Sequence, residues 1–329
     1  MKQNLIASLL VSGLVLTGTP CLHAGTSDAK DSITPVVAPP AESVPVSQEF
    51  SLEGSYAGQM STKQGSSTLG NVTDIHSHFN YVVSPQIKDG ILLRLGVDSE
   101  RNSFGLFNAA PLPNTLQSVN AIIGVDFTLN DKIIMRVEGH PGIYSDWVGP
   151  ITWNDFDMPV QIGGTYLYSK DLQFILGLQV DLKSDLPVVG LPGVRWQFAD
   201  KWVLSAIPPK PQIQYLVNPS LTVYAGGELI GGTYQLNPLF GSSHGHGPNN
   251  IGASQLNNNV CDFAEFRVGP GVTWKFTPNL SLDVSGGYIP YRTFNMHSGQ
   301  IGFASNWTDF HNDVGNGAPY GEVGISGSF

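Results

Sequence analysis

From Phe50 to the end of the chain, no stretch of helical length carries a 3.6-residue apolar period; apolar residues recur at every second position instead. This is the strongest constraint in the sequence, because a period of two puts apolar groups on one face of an extended strand and polar groups on the other. Ile75, Phe79, Tyr81 and Val83 alternate with Asp74, His76, His78 and Asn80. Val119, Ala121, Ile123, Val125 and Phe127 alternate with Asn120, Gly124 and Asp126. Leu172, Phe174, Leu176, Leu178 and Val180 alternate with Gln173, Gln179 and Asp181. By the same parity Phe50, Leu52, Tyr56 and Met60 share one face, opposite Ser51, Glu53, Ser55 and Gln59.

Which face meets solvent is decided by composition. Charged residues make up 13% of the 329-residue chain, against a hydrophobic content of 41%; soluble domains carry about 25% charge. The polar faces hold mostly Gln, Ser, Thr, Asn and Gly rather than the Lys and Glu of a solvated sheet. Uncharged apolar faces turned toward lipid, with polar faces around a wet interior, satisfy both observations. The expected fold is therefore all-β, an antiparallel transmembrane β-barrel. A net charge of −10 leaves no basic face for nucleic acid.

Turn residues and spacing give the strand count. Short connections fall at Asn130-Asp131, Lys170-Asp171, Asp200-Lys201, Asn218-Pro219 and Pro278-Asn279. Long ones fall near 99–114, 141–158, 235–260 and 293–317. Short and long alternate, as periplasmic turns and outer loops do in bacterial barrels. The intervening segments are 50–61, 72–83, 90–98, 115–129, 132–140, 159–169, 172–182, 193–199, 201–207, 211–217, 220–234, 261–276, 280–292 and 318–329. That makes about 14 strands; twelve is the alternative, because Pro208, Pro209 and Pro211 interrupt 193–217. Tyr81, Phe127, Tyr168, Phe198, Trp202, Trp274 and Phe276 lie within a few residues of short turns, where an aromatic girdle would sit.

Ahead of the barrel, Lys2 and the apolar run Leu5–Leu16 read as a signal peptide over residues 1–24, with cleavage after Ala24. Cys21 raises a lipoprotein reading, which Gly18-Thr19-Pro20 fits poorly. Residues 25–49, with Pro35, Pro39, Pro40 and Pro45, read as a Pro-rich periplasmic linker, leaving 50–329 for the barrel. If Cys21 leaves with the signal, Cys261 remains alone and no disulfide scaffold is expected.

The chain ends Tyr320-Gly-Glu-Val-Gly-Ile-Ser-Gly-Ser-Phe329, a terminal aromatic with Val323 and Ile325 on its face. This resembles the C-terminal strand of Gram-negative outer-membrane proteins. The resemblance implies an outer-membrane location and an assembly signal at Phe329, Ile325 and Val323, read by the barrel-assembly machinery; Gly321 and Gly327 depart from the apolar residues usual in such strands. Pro192-Gly-Val-Arg-Trp196, Ile207-Pro-Pro-Lys-Pro-Gln-Ile-Gln-Tyr215 and Tyr224-Ala-Gly-Gly-Glu228 look similar to a group of uncharacterised bacterial outer-membrane barrels over most of 50–329. That resemblance implies a fold and a location, and no activity. Outer-membrane lipid and lipopolysaccharide would be the surroundings of such a barrel.

No Gly-x-Ser-x-Gly, His-Glu-x-x-His or Gly-rich phosphate loop with Lys is present, and no catalytic residue, cofactor or metal is expected. His244 and His246 in Gly-Ser-Ser-His-Gly-His-Gly lack evident further ligands; His76 and His78 read as polar filling. The candidate functional residues are the inward charges. The acids are Glu53, Asp74, Asp98, Asp126, Glu138, Asp181, Glu228, Glu265 and Asp283; the bases are Arg94, Arg136, Lys183, Arg195, Arg267 and Lys275. Lining water, they would form a weakly cation-preferring channel; paired across the lumen, they would plug it. The expected function is a porin-like channel or transporter for small solutes, the alternatives being a plugged structural or surface-binding barrel and, third, an outer-membrane enzyme.

Overall fold

The computed structural model describes residues 46–64, 67–107, 112–237, 259–298, 310–314 and 317–329. The strands are β1 (Val46–Gln64), β2 (Ser67–Lys88), β3 (Ile91–Phe107), β4 (Thr115–Asn130), β5 (Ile133–Gly139), β6 (Gly142–Ser145), β7 (Phe156–Asp157), β8 (Val160–Leu167) and β9 (Leu172–Val180). They continue with β10 (Val188–Ala199), β11 (Trp202–Ala206), β12 (Gln212–Asn218), β13 (Leu221–Gln235), β14 (Asn259–Thr277), β15 (Leu280–Ser298), β16 (Phe310–Val314) and β17 (Ala318–Ser328).

Neighbours along the chain pair antiparallel, and β17 returns to β1 from Glu49↔Ser328 to Ala57↔Tyr320. Gln48 and Phe329 extend that seam with two backbone hydrogen bonds of 2.8 Å. The sheet is thereby closed and leaves no edge. Three staves consist of two segments each: β5 with β6, β7 with β8, and β16 with β17. Pro141 and Pro159, which have no N–H to offer, sit at the first two breaks and contribute only their carbonyls, to Ala121 and His140. The seventeen segments therefore build fourteen staves.

All fourteen expected strands are present, and β10, β11 and β12 pair as separate staves, so the twelve-stranded alternative is wrong. Several strands outrun their expected ends. β1 begins at Val46, inside the expected linker, while β3 and β15 continue through residues read as loop, to Phe107 and Ser298. The expected signal peptide, most of the linker, and His244 and His246 lie outside the described residues.

The outer wall is apolar and open to its surroundings. Leu176 is 65% exposed, Ile75 59% and Ile123 54%, whereas their neighbours Gln179, His76 and Asn120 are buried inside. An exposed apolar band around the whole barrel belongs in lipid, not in water. At the turn end it is bordered by ring pairs: Phe198 on Trp202, Trp202 against Tyr215, and Trp274 against Phe276. Among the described residues no helix is long and apolar enough to cross a membrane.

Two bulges reverse the parity read from sequence. In β1 the pairing with β2 passes from Ala57↔Asp74 to Met60↔Val72, which turns Met60 inward, to 1% exposure. Met60 therefore does not share the outer face with Leu52 and Tyr56, as strict alternation predicts. In β15 the partners of Phe266 and Val268 are Tyr291 and Tyr288, so one extra residue is accommodated beside Pro290 and Arg292 turns inward. Next to this bulge β14 and β15 approach so closely that a Cβ on Gly287 would fall 2.0 Å from the Val268 carbonyl oxygen; only glycine fits there.

Stave height is uneven. β1, β2, β14 and β15 have 19, 22, 19 and 19 residues, whereas β8, β9, β11 and β12 have 8, 9, 5 and 7. At about 3.3 Å per residue the tall strands are roughly 40 Å longer than the short ones, measured along the strand. Above the short staves the tall ones close on each other: Gln235 of β13 bridges Ser145 of β6, and Asp146 donates its N–H to the Gln235 carbonyl at 3.1 Å. The loop-ward part of the barrel is therefore narrower than the fourteen-stave part below it.

Candidate functional site

The lumen is crossed by a buried ionic network. Arg267 of β14 is fully buried and donates to Glu265 at 2.5 Å, to the Ser55 hydroxyl of β1 at 2.8 Å and to Glu322 of β17 at 2.8 Å. Arg292 of β15, also fully buried, bonds Glu265 and reaches Asp74 of β2 at 3.2 Å. Lys210 lies on the Pro-Pro-Lys-Pro link between β11 and β12. The carbonyls of Pro209 and Pro211 in that link accept from Leu229 and Gly227, which holds it along β13. The Lys210 ammonium meets Glu228 at 2.7 Å, Glu53 at 2.8 Å and Glu322 at 3.5 Å. Glu265 and Arg292 are cross-strand partners on neighbouring staves, but Lys210 ties β13 to β1 and β17, Arg267 ties β14 to β17 and β1, and Arg292 ties β15 to β2, so these side chains reach through the interior between staves that are not neighbours. Five carboxylates, those of Glu53, Asp74, Glu228, Glu265 and Glu322, face three cations, and the layer is net acidic.

A second network runs along β2 to β6. Arg94 donates to Glu138 at 2.7 Å; Arg136 holds Asp126 with two bonds of 2.6 and 2.7 Å. His140 contacts Glu138 at 3.1 Å and Asn120 at 3.4 Å. Asn120 in turn donates to Asp98, which also takes bonds from Asn80 and the His78 ring. Paired, hydrogen-bonded charges are the form in which a narrow interior tolerates them.

Loop-ward of both networks an apolar cluster fills part of the interior. Phe104, Phe263 and Phe294 pack with centroids 5.1 to 5.4 Å apart, joined by Met60, Leu116, Tyr144, Tyr234 and Ile289 in one buried cluster. Arg292 lies beneath it, 5.9 Å from the Phe104 ring centroid. At this level the interior is packed rather than water-lined, as in the plugged alternative of the sequence reading. The tall staves converge here, and a narrow interior excludes water in favour of close packing.

Of the expected lumen residues, Glu53, Asp74, Glu228, Glu265 and Arg267 meet in the first network, and Arg94, Asp126, Arg136 and Glu138 in the second. Asp283 stands apart and accepts from Tyr224 and Thr273, each at 2.6 Å. Arg195 is on β10, opposite Gln173 of β9 and Ser205 of β11, and joins neither network. Asp181 is buried just past the end of β9, at the loop end. Lys183 does not face the lumen as expected: it lies in the β9–β10 loop, its ammonium on the carbonyls of Asn154 and Phe156.

Sequence reasoning missed Lys210, Arg292 and Glu322. Glu322 obeys the alternation of the last strand and was readable. Arg292 was hidden by its bulge, for which Pro290 was the signal. Lys210 sits between prolines with no pattern around it. The oxygens of Glu53, Glu228 and Glu322 lie within 4.8 Å of one another, a spacing a divalent cation accepts, but the Lys210 ammonium already bonds all three.

At the turn end, Phe329 stacks on Phe50 with centroids 6.3 Å apart, and Val323 and Ile325 face outward. The fold and lumen together define a class, the closed fourteen-stave membrane-spanning β-barrel with a charged interior. No protein-family model matches the chain, and no curated protein matches it. Among solved structures, an outer-membrane channel from Pseudomonas putida F1 is similar over 89% of this chain and 100% of its own, at 10% identity and a TM-score of 0.44. The toluene transporter TodX of Pseudomonas putida is similar over 96% of this chain and 95% of its own, at 11% identity and a TM-score of 0.36. The NanC porin is similar over 84% and 98%, at 12% identity and a TM-score of 0.35. The barrel assignment rests on the strand register given above.

Proposed function

We propose that this protein is an outer-membrane transport barrel for small solutes, without catalytic activity, and that its lumen is closed in the conformation described. The observation that carries the reading is the net-acidic layer of Lys210, Arg267 and Arg292 with their carboxylates, set across the lumen. A barrel built only to be sealed could be filled with apolar side chains at lower desolvation cost. A charged layer suits a path that is hydrated when open, and its excess of acids favours cations. The lipid-facing wall and the C-terminal strand support the location, with the barrel-assembly machinery and lipopolysaccharide as partners.

The second reading, a permanently plugged barrel with a structural role, is favoured by the burial of Arg94, Arg267 and Arg292, at 1%, 0% and 0% exposure. Planar-bilayer recording separates the two. Wild type is expected to show rare cation-preferring steps, and Lys210→Ala frequent ones, because Lys210 is the partly hydrated member of the layer, 26% exposed. Silence from both proteins, each shown to be folded, would leave the plugged barrel as the function.

A further inference from the structure

The hairpin that joins β6 to β7, residues 146–158, is built with its polarity reversed. A loop that meets water turns its polar groups out and its apolar ones in. Here Ser145, Asp146, Asp155 and Asp157 are buried, while Trp147, Val148, Ile151, Trp153, Phe156 and Met158 are 38% to 88% exposed. Between Trp147 and Met158 no charged residue is exposed. The buried polar groups hold the hairpin in shape. Asp155 accepts from the Thr152 N–H at 2.7 Å, the Thr152 hydroxyl at 2.8 Å and the Ser145 hydroxyl at 2.7 Å, which fixes the short 3₁₀ turn Trp153–Asp155. Asp146 accepts the Val148 and Asn237 N–H groups at 3.0 and 2.9 Å, and the Lys183 ammonium donates to the carbonyls of Asn154 and Phe156. Trp153, at 88% the most exposed of the set, is held out on this turn, its ring centroid 6.0 Å from that of Phe156.

The exposed side chains continue the lipid-facing wall. Phe156 pairs with Ile143, and Ile143 with Val119 of β4, itself exposed on the outer face. Below Phe156 the outward row runs through Met158 and Ile162 to Tyr166. Tyr166 belongs to the ring cluster at the turn end, beside Tyr168 and Phe174. Ten residues separate Phe156 from Tyr166. That is about 33 Å along the strand and roughly 25 Å in height at a tilt near 40°, the height of the apolar band of such a barrel. The hairpin therefore stands at the far border of the hydrocarbon layer. There Ile143, Ile151, Thr152, Trp153 and Phe156 enclose a shallow, open dent of about 280 Å³.

We propose that the β6–β7 hairpin is a lipid-docking element, its dent seating one acyl chain of an outer-leaflet lipid with the Trp153 ring at the level of the headgroups. An apolar patch left in water carries a hydrophobic cost, and this one adjoins a wall already covered by lipid. Trp prefers the interface because it has an apolar body and one polar N–H. The braced turn keeps the dent formed before a chain enters, so little ordering opposes docking. The lining carries no charge, so it recognises the hydrocarbon chain and not a phosphate. The inference rests on the membrane location of the barrel, not on its transport activity.

The test uses the full mature chain refolded into phosphatidylcholine vesicles, with bromine carried near the headgroup end of the acyl chains, near their methyl end, or absent. The emission of Trp153 is the difference between wild type and Trp153→Phe. That of Trp196, exposed on the wall near the turn end, is read in the same way from Trp196→Phe. Trp153 should lose at least about half its emission to bromine near the headgroups, and less to bromine near the methyl ends. Ile151→Asn makes the dent polar at an exposed position; measured against Ile151→Asn/Trp153→Phe, it should weaken the bromine quenching of Trp153 at least about twofold. The proposal is overturned if bromine quenches Trp196 but not Trp153, for the barrel then lies in lipid and the hairpin does not. It is overturned equally if Ile151→Asn is quenched like wild type. Shielding of Trp153 from both bromine and aqueous acrylamide would place a second copy of the chain on the hairpin and overturn it too. An unquenched Trp196 would overturn the membrane location itself, and this inference with it.

Discussion

Replacing Arg267 with Met removes the central cation of the lumen. Its guanidinium is 0% exposed and serves Glu265, Glu322 and the Ser55 hydroxyl, with Glu228 at 3.9 Å. Breaking a buried pair from one side costs about 3–5 kcal/mol, because the remaining charge is left uncompensated. Here each carboxylate keeps a second cation: Glu265 keeps Arg292, and Glu322 and Glu228 keep Lys210. The cost therefore belongs at the low end, about 3 kcal/mol. With a urea slope near 3 kcal/mol/M for a chain of this size, the midpoint should fall by about 1 M. The double variant Arg267→Met/Glu265→Gln removes one charge of each sign and restores the original imbalance, so it should recover at least about 1 kcal/mol of the loss. The assay is urea unfolding in lipid vesicles, followed by the emission of the six tryptophans. A single variant within about 0.3 M of wild type would show that the network is hydrated and contributes little. A double variant no better than the single would show that Arg267 and Glu265 are not coupled.

Other perturbations test the wall, the seam and the loop. Leu176→Arg places a charge on the lipid face where the native side chain is 65% exposed; it should cost roughly 2–4 kcal/mol and block insertion, scored as lost protease resistance after refolding into vesicles. Gln179→Arg is not a neutral counterpart, since Gln179 is 3% exposed in the interior; overpacking of about 1–3 kcal/mol is expected, read from the same assay. Deleting Phe329 removes the two Gln48 bonds and the ring contact with Phe50 but leaves the register from Glu49 to Ala57 intact. Outer-membrane levels in cells should therefore fall far more than the urea midpoint of refolded protein. Burial and the charges of Asp157 and Asp262 push the Asp181 carboxyl up to about 7 in the folded chain, against an ordinary value of 3.8 when unfolded. The folded state then binds more protons between those values, so stability should rise as pH falls through that window and fade above it. Asp181→Asn should flatten the dependence of the urea midpoint on pH.

Period-two alternation with scarce charge dictated most of the fold by itself. Leu176 beside Gln179, or Ile123 beside Asn120, can be sorted only one way when one face meets lipid, so wall, strand number and turn positions were all legible. The terminal aromatic strand was legible for the same reason. Alternation stops being informative wherever a residue is inserted into one strand of a pair. Met60 and Arg292 changed sides at bulges; Pro290 marks the second, but no local pattern marks the residue at which the first slips. Nor does the period of a strand encode its height relative to strands far away in sequence. The bridge of Gln235 to Ser145 and the apolar packing of Phe104, Phe263 and Phe294 arise only when tall staves meet above short ones. Lys210 is the extreme case: it lies more than 110 residues from Glu322 and more than 150 from Glu53, and both distances close only because the barrel closes. The sequence determined that charges would face inward. Whether they line water or neutralise each other depends on how far apart the walls stand, and only the closed tertiary structure decides that.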